Sequence, residues 1–135
     1  MLSRPVPAPE AKRHPRALVV DDQHDAAESF ARMLRAMGCE ANFVTNPFMA
    51  VELAGRMKAE VVFLDLGMPG IDGYELARIL RGKHGWEGLK IVAVTGHAAD
   101  EDRTSTRKAG FDAHVVKPVD PQLIKSMLRT LFPDL

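Results

Sequence analysis

Between residues 17 and 132 short apolar runs alternate with longer stretches in which apolar side chains recur every three or four positions. The short runs predict five strands: Ala17–Asp21 (ALVVD), Glu40–Val44, Val61–Asp65 (VVFLD), Lys90–Thr95 (KIVAVT) and Ala113–Lys117. Apart from Glu40–Val44, whose apolar content is thin, they are apolar through their length. Strands covered on both faces read that way. The longer stretches predict helices. Asp25–Met37 puts Ala27, Phe30, Ala31 and Leu34 on one face and pairs Glu28 with Arg32 four residues on. Asn46-Pro47 reads as a cap followed by proline at the first helical position, opening a helix to about Lys58. Asp72 caps a helix over 73–81 that Gly82 ends. Asp120-Pro121 repeats the cap-plus-proline device before a stripe of Leu123, Ile124, Met127, Leu128 and Leu131.

A fifth helix is expected over 99–109, but ADEDRTSTRKA offers almost no apolar face. Helices draw most of their stability from packing such a face, so this one is expected to be marginal and easily displaced. Strict alternation of strand and helix predicts an α/β fold. With right-handed crossovers this is a doubly wound three-layer sandwich, whose ligand site lies at the carboxyl ends of a parallel sheet.

Composition narrows the function classes. The 135 residues suit one domain, and 46% hydrophobic with 27% charged residues permits a real core. Eighteen Lys and Arg balance 18 Asp and Glu, so no net charge marks the chain for nucleic acid or anionic lipid. Apolar runs stop far short of the roughly 20 residues that span a bilayer. Residues 1–16 hold four of the nine prolines and read as a tail or linker, with the domain over 17–132 and a short end over 133–135. The first segment lacks the apolar stretch of a signal peptide, and the single cysteine, Cys39, has no internal partner, so a cytoplasmic location is expected.

The strand ends carry the chemistry. Asp21-Asp22 closes the first strand, Asp65 the third, Thr95 the fourth and Lys117-Pro118 the fifth. Three carboxylates a few ångströms apart repel one another, and a hard divalent cation removes the conflict. Magnesium needs only one or two carboxylates and keeps positions for phosphate oxygens. Asp65, central in the sheet, is the candidate nucleophile, with Asp21 and Asp22 suited to the metal. Lys117 and the Thr95 hydroxyl can then share the oxygens of a transferring phosphoryl group.

These residues stand in segments that resemble the receiver domain of two-component response regulators. The segments are LVVDDQHDAAES (18–29), VVFLDLGMPGIDGYELAR (61–78), IVAVTGHAADEDR (91–103) and AGFDAHVVKPVDPQLI (109–124). The resemblance implies a flavodoxin-like sheet of order 2-1-3-4-5 with five helices. It also implies that Asp65 accepts a phosphoryl group from a histidine kinase or phosphotransfer protein. Asp22, Asp65 and the Gly67 carbonyl would ligate Mg2+ (or Mn2+), while Asp21 holds metal-bound water. Thr95 is the implied switch hydroxyl, Lys117 the implied ion-pairing lysine, and the Lys117-Pro118 bond is implied to be cis. Gly70 and Gly73 would shape the loop after Asp65. A downstream protein would read the helix at 99–109, the fifth strand and the last helix; a weak homodimer is also expected, and no nucleic acid or membrane contact is.

The chain departs from the family pattern at His114, which stands where an aromatic switch residue, Tyr or Phe, is usual. Gly67 and His97 occupy the positions that tune loss of the phosphoryl group, and glycine leaves the water's approach open. Trp86 is expected to pack, His24 to start a helix, and Cys39 to fill a buried space. Two rivals stand beside the receiver reading. A magnesium-dependent phosphohydrolase with an aspartyl-phosphate would want a second aspartate at position 67. A non-phosphorylated pseudo-receiver would lack one of the key residues, and none is lacking. The domain is expected to catalyse only its own phosphotransfer and dephosphorylation. It reads either as a single-domain regulator with no output domain after the last helix, or as a receiver from a hybrid histidine kinase with 1–16 as linker. The GFDAHVVKPVDP stretch leans toward the hybrid.

Overall fold

The computed structural model describes residues 13–83, 88–96 and 110–135. Five parallel strands, β1 (Arg16–Val20), β2 (Glu40–Val44), β3 (Val61–Asp65), β4 (Lys90–Thr95) and β5 (Ala113–Val116), form one sheet of order β2-β1-β3-β4-β5. The helices among the described residues are α1 (His24–Ala36), α2 (Ala50–Met57), α3 (Gly73–Arg81) and α4 (Pro121–Leu131). The helix expected over 99–109, together with Trp86 and His97, lies outside the described residues.

Side-chain alternation along the strands divides the core into two layers. Val19, Phe63, Val92, Val94 and Val115 face α1 and α4, where Ala27, Ala31, Leu34, Ile124 and Leu128 meet them. Leu18, Val20, Val62, Leu64, Ile91 and Ala93 face α2 and α3, against Ala50, Ala54, Leu76, Ala77 and Leu80. Phe63, wholly buried beneath Phe30 at 4.9 Å between ring centroids, is the largest fully buried side chain. Truncating such a residue typically costs about 3–5 kcal/mol.

The caps act as the sequence suggests. Asp72 accepts from the Tyr74 amide at 2.9 Å, Asp120 from Gln122 at 2.9 Å, and Asn46 from Phe48 at 3.0 Å. The predicted Glu28–Arg32 pair forms at 3.1 Å. Three details differ from expectation. The Asn46 cap opens a 3-10 turn, Pro47–Met49, before α2 begins at Ala50. β1 runs Arg16–Val20 and β5 stops at Val116, which leaves Asp21 and Lys117 just past the ladder. Leu123, assigned to the apolar stripe of α4, is 48% exposed; Ile124 and Leu128 are the residues that reach the core.

The segment just before β1 is tied down. Arg13 pairs with Glu60 and, at 2.7 Å, with Asp134, and its guanidinium lies 5.2 Å from the Phe132 ring centroid. His14 Nδ1 donates to the Gly38 carbonyl at 2.8 Å, and the Glu40 amide donates to Pro15 O at 2.9 Å.

Candidate functional site

Strand register builds the site. Val20 pairs with Leu64 across β1 and β3, so the next residues, Asp21 and Asp65, leave adjacent strands side by side. Parallel neighbours lie about 4.8 Å apart, close enough for two carboxylates to feel each other strongly. On the other side Asp65 pairs with Val94 of β4, and Thr95 pairs with Val116 of β5, one step before Lys117. The Lys117-Pro118 peptide bond is cis.

Carboxylate oxygens of Asp21, Asp22 and Asp65 all lie within 4.8 Å of one another. Asp21 and Asp65 are buried, at 5% and 6% exposure, as is Thr95 at 4%, while Asp22 is more open to solvent. The Lys117 ammonium bridges the two buried acids, 3.1 Å from Asp65 Oδ2 and 3.4 Å from Asp21 Oδ2. Each acid also holds a backbone amide two residues on. Gly67 N–H donates to Asp65 Oδ1 at 2.8 Å, and Gln23 N–H to Asp21 Oδ1 at 2.9 Å. These bonds fix both side chains before any ligand arrives.

Electrostatics show an unmet need. Burial pushes the Asp21 carboxyl above its ordinary value, and the neighbouring Asp65 charge adds to the rise, although the Gln23 amide and Lys117 pull the other way. Burial pulls the Lys117 ammonium down, but its bonds and charge attraction to Asp65, then Asp21, outweigh this and leave it above its ordinary value. One lysine therefore does not fully offset the carboxylates around it. A divalent cation on hard oxygen ligands fits this donor set, which holds three carboxylates and no sulfur or imidazole.

The sites named from sequence are distributed as follows. Asp21, Asp22, Asp65 and Lys117 come together, with Thr95 at the end of the adjacent strand. Gly67 lies so close that a Cβ there would stand 3.3 Å from Asp65 Oδ1; at Gly73 it would meet Leu66 Cδ2 at 2.6 Å, and Gly70 adopts φ +74. His114 sits opposite Ala93 on β5, with its Nε2 buried and without a hydrogen-bond partner among the described residues. His24 opens α1 and stacks edge-on against Phe43 at 5.3 Å. Cys39 is buried, and burial followed by the Glu60 charge pushes its thiol up to about 11.

Sequence reasoning missed the Gln23 amide, whose signal is the two-residue offset of an Asx turn after Asp21. It also missed Arg81, which bonds Gly110 O at 2.7 Å and Asp112 at 2.6 Å while donating to Leu89 O. Asp112 in turn accepts the Ile91 amide at 2.8 Å. Contacts so distant in sequence leave no local pattern.

Comparison with known proteins agrees with this geometry. A family model described as the response regulator receiver domain matches residues 17–129. An uncharacterised 14.6 kDa protein of Leptolyngbya boryana is 35% identical over 104 residues, covering 77% of this chain and 79% of that protein. Sensor protein GacS of Pseudomonas syringae is 31% identical over 128 residues, 90% of this chain but 14% of its own length. The chain likewise spans only 7% of a hybrid signal transduction histidine kinase of Dictyostelium discoideum, at 29% identity. Among solved structures, a CheY-like receiver domain from Methylobacillus flagellatus superposes with a TM-score of 0.80 at 28% identity, over 88% of this chain and 99% of that one. The receiver domain of sensor histidine kinase PA1611 from Pseudomonas aeruginosa, solved with magnesium in its active-site cleft, gives 0.77 at 25% identity over 88% and 98%. No helix among the described residues is long and apolar enough to cross a membrane. With sheet order, acidic strand ends and family match in agreement, this chain belongs to the response regulator receiver domains of two-component signalling.

Proposed function

We propose that this domain accepts a phosphoryl group on Asp65 from a phosphohistidine on a histidine kinase or phosphotransfer protein, and that the modification switches its conformation. The observation that carries the reading is the placement of Asp65 Oδ2 3.1 Å from Lys117 Nζ, beside the Asp21–Asp22 pair, with Oδ1 held by the Gly67 amide. Asp21, Asp22, Asp65 and the Gly67 carbonyl would hold Mg2+ or Mn2+, which supplies charge neutralisation for the phosphoryl oxygens when bound.

In the transfer, the Asp65 carboxylate attacks phosphorus as the donor's P–N bond breaks, and the electron pair leaves with the imidazole nitrogen. Lys117 accompanies the phosphoryl group across and keeps one of its oxygens paired. Thr95 offers its hydroxyl to another, and Gly67, lacking a side chain, leaves water a path for later hydrolysis. Phosphoryl transfer asks a protein mainly for such positioning and charge matching. No external substrate turns over, so the domain acts as a switch and not as an independent enzyme. The response runs from Thr95 and His114 toward segment 99–109, β5 and α4, the surface offered to a downstream protein and to a weak homodimer. His97 joins Gly67 in setting the lifetime of the phosphorylated form. Relatives of both architectures, a short protein and long sensors, support a stand-alone receiver as well as a hybrid-kinase segment.

Intact mass after incubation with acetyl phosphate and Mg2+ tests the proposal. The native chain gains one phosphoryl group, and Asp65→Asn or metal chelation prevents the gain. A native chain that stays unmodified with every phosphodonor is instead a pseudo-receiver. Steady release of phosphate from small phosphoesters would identify a phosphohydrolase.

A further inference from the structure

A cavity lies far from Asp65, at the opposite end of the sheet. It measures about 770 Å³, within the range of small-molecule sites. Three elements wall it: the segment before β1, the end of α1 with the turn to Cys39, and α4. The first wall is preformed, because Arg13 is bonded to Asp134, His14 to Gly38 O, and Pro15 O to the Glu40 amide.

The side-chain charge on the α4 wall of this cavity is all positive. Asp134, a carboxylate of its lining, is paired at 2.7 Å with Arg13, which it shares with Glu60. Lys125 and Arg129 line the facing wall, are exposed, and make no ion pair among the described residues. They stand one turn apart on α4, where side chains are neighbours and two like charges repel. Between the charged groups the surface is apolar, from Pro15, Met37 and Leu128.

We propose that this cavity binds a small organic anion, its carboxylate or phosphate held between Lys125 and Arg129 and its apolar body laid against Pro15, Met37 and Leu128. The anion removes the repulsion between the two cations, and the apolar wall selects a ligand with hydrocarbon beside its charge. Such a ligand touches both the segment before β1 and α4, so it fixes one against the other. This site is separate from the phosphoacceptor and does not depend on its reading.

Titration of the full chain with octanoate, followed by amide resonances, tests the site. Saturable shifts are expected at Gly38, Cys39 and residues 125–129, with inorganic phosphate acting more weakly and octylammonium leaving these resonances unmoved. The K125Q/R129Q double variant binds octanoate at least about tenfold more weakly. Its unchanged phosphorylation by acetyl phosphate shows that it is folded. The proposal is overturned by absence of saturation up to about 10 mM octanoate, by the same shifts with octylammonium, or by undiminished binding in the double variant. Phosphate binding as tight as octanoate would remove the apolar half of the claim.

Discussion

Lys117 and Asp65, 52 positions apart in the chain, meet at 3.1 Å at the ends of strands separated by β4. The same ammonium lies 3.4 Å from Asp21, so one cation is shared by two buried acids. Replacing it removes the cation between them and, on the proposed function, a donor for the transferred group. Lys117→Met is expected to slow phosphorylation by acetyl phosphate by about 100-fold, the scale of losing one oriented charge-stabilising donor. The time course of intact mass measures this, and a native rate in the variant would contradict the role.

Metal addition gives an independent readout. If the acid cluster holds Mg2+ as proposed, the ion binds the folded and not the unfolded chain and is expected to raise the unfolding midpoint. At a hundredfold excess over Kd the gain is about 2.7 kcal/mol. Chelation reverses it, and Asp22→Ala abolishes it. An equal Mg2+ shift in Asp22→Ala and the native chain would place the ion elsewhere.

Cys39 makes stability depend on alkaline pH. Its thiol titrates near its ordinary value in the unfolded chain but is pushed to about 11 by burial in the folded one. The raised value means that the contribution is complete below the unfolded pKa and disappears as pH climbs through about 11. Denaturation midpoints are expected to fall across that window by about 2–3 kcal/mol more in the native chain than in Cys39→Ala. Parallel curves for the two would refute the assignment, as would rapid alkylation of the native thiol at neutral pH.

His114 buries an Nε2 that has no hydrogen-bond partner among the described residues. An unsatisfied buried nitrogen costs about 1–3 kcal/mol, so His114→Phe, which keeps a ring and loses the polar atom, is expected to stabilise the domain by about 1 kcal/mol. Urea midpoints decide it; a destabilised variant would mean that the imidazole is well accommodated.

Arg81 closes the other end of the sheet by bonding Leu89 O, Gly110 O and Asp112. Arg81→Ala takes this donor from two carbonyls and leaves Asp112 with the Ile91 amide alone, with an expected loss of about 2 kcal/mol in chemical unfolding. A loss below about 0.5 kcal/mol, the range of an ordinary surface substitution, would show that water replaces it freely.

The strands and caps were legible because their causes are local. Both faces of VVFLD are apolar, and Asp72, Asn46 and Asp120 each reach amides within three residues. The acid cluster was legible through topology, since alternation of strand and helix places every strand end on one edge. What the sequence hid is long-range. Helical spacing alone gave Leu123 to the core, but the space α4 covers is filled by Ile124 and Leu128. Arg13 looked like part of a loose tail until Glu60, Asp134 and Phe132 gathered around it. The proline after Asn46 indicated a helix start but not the 3-10 turn that precedes α2.

The side-by-side register of β1 and β3 has a thermodynamic consequence. Both strands lie in the middle of the sheet, and every residue of β3 is buried. Heat or denaturant separates the acid pair from Asp65 only by opening hydrogen bonds between two interior strands of the sheet. The proposed uptake of phosphate is therefore expected to be lost at the same midpoint as global unfolding, while segments away from these two strands rearrange without disturbing the acid cluster.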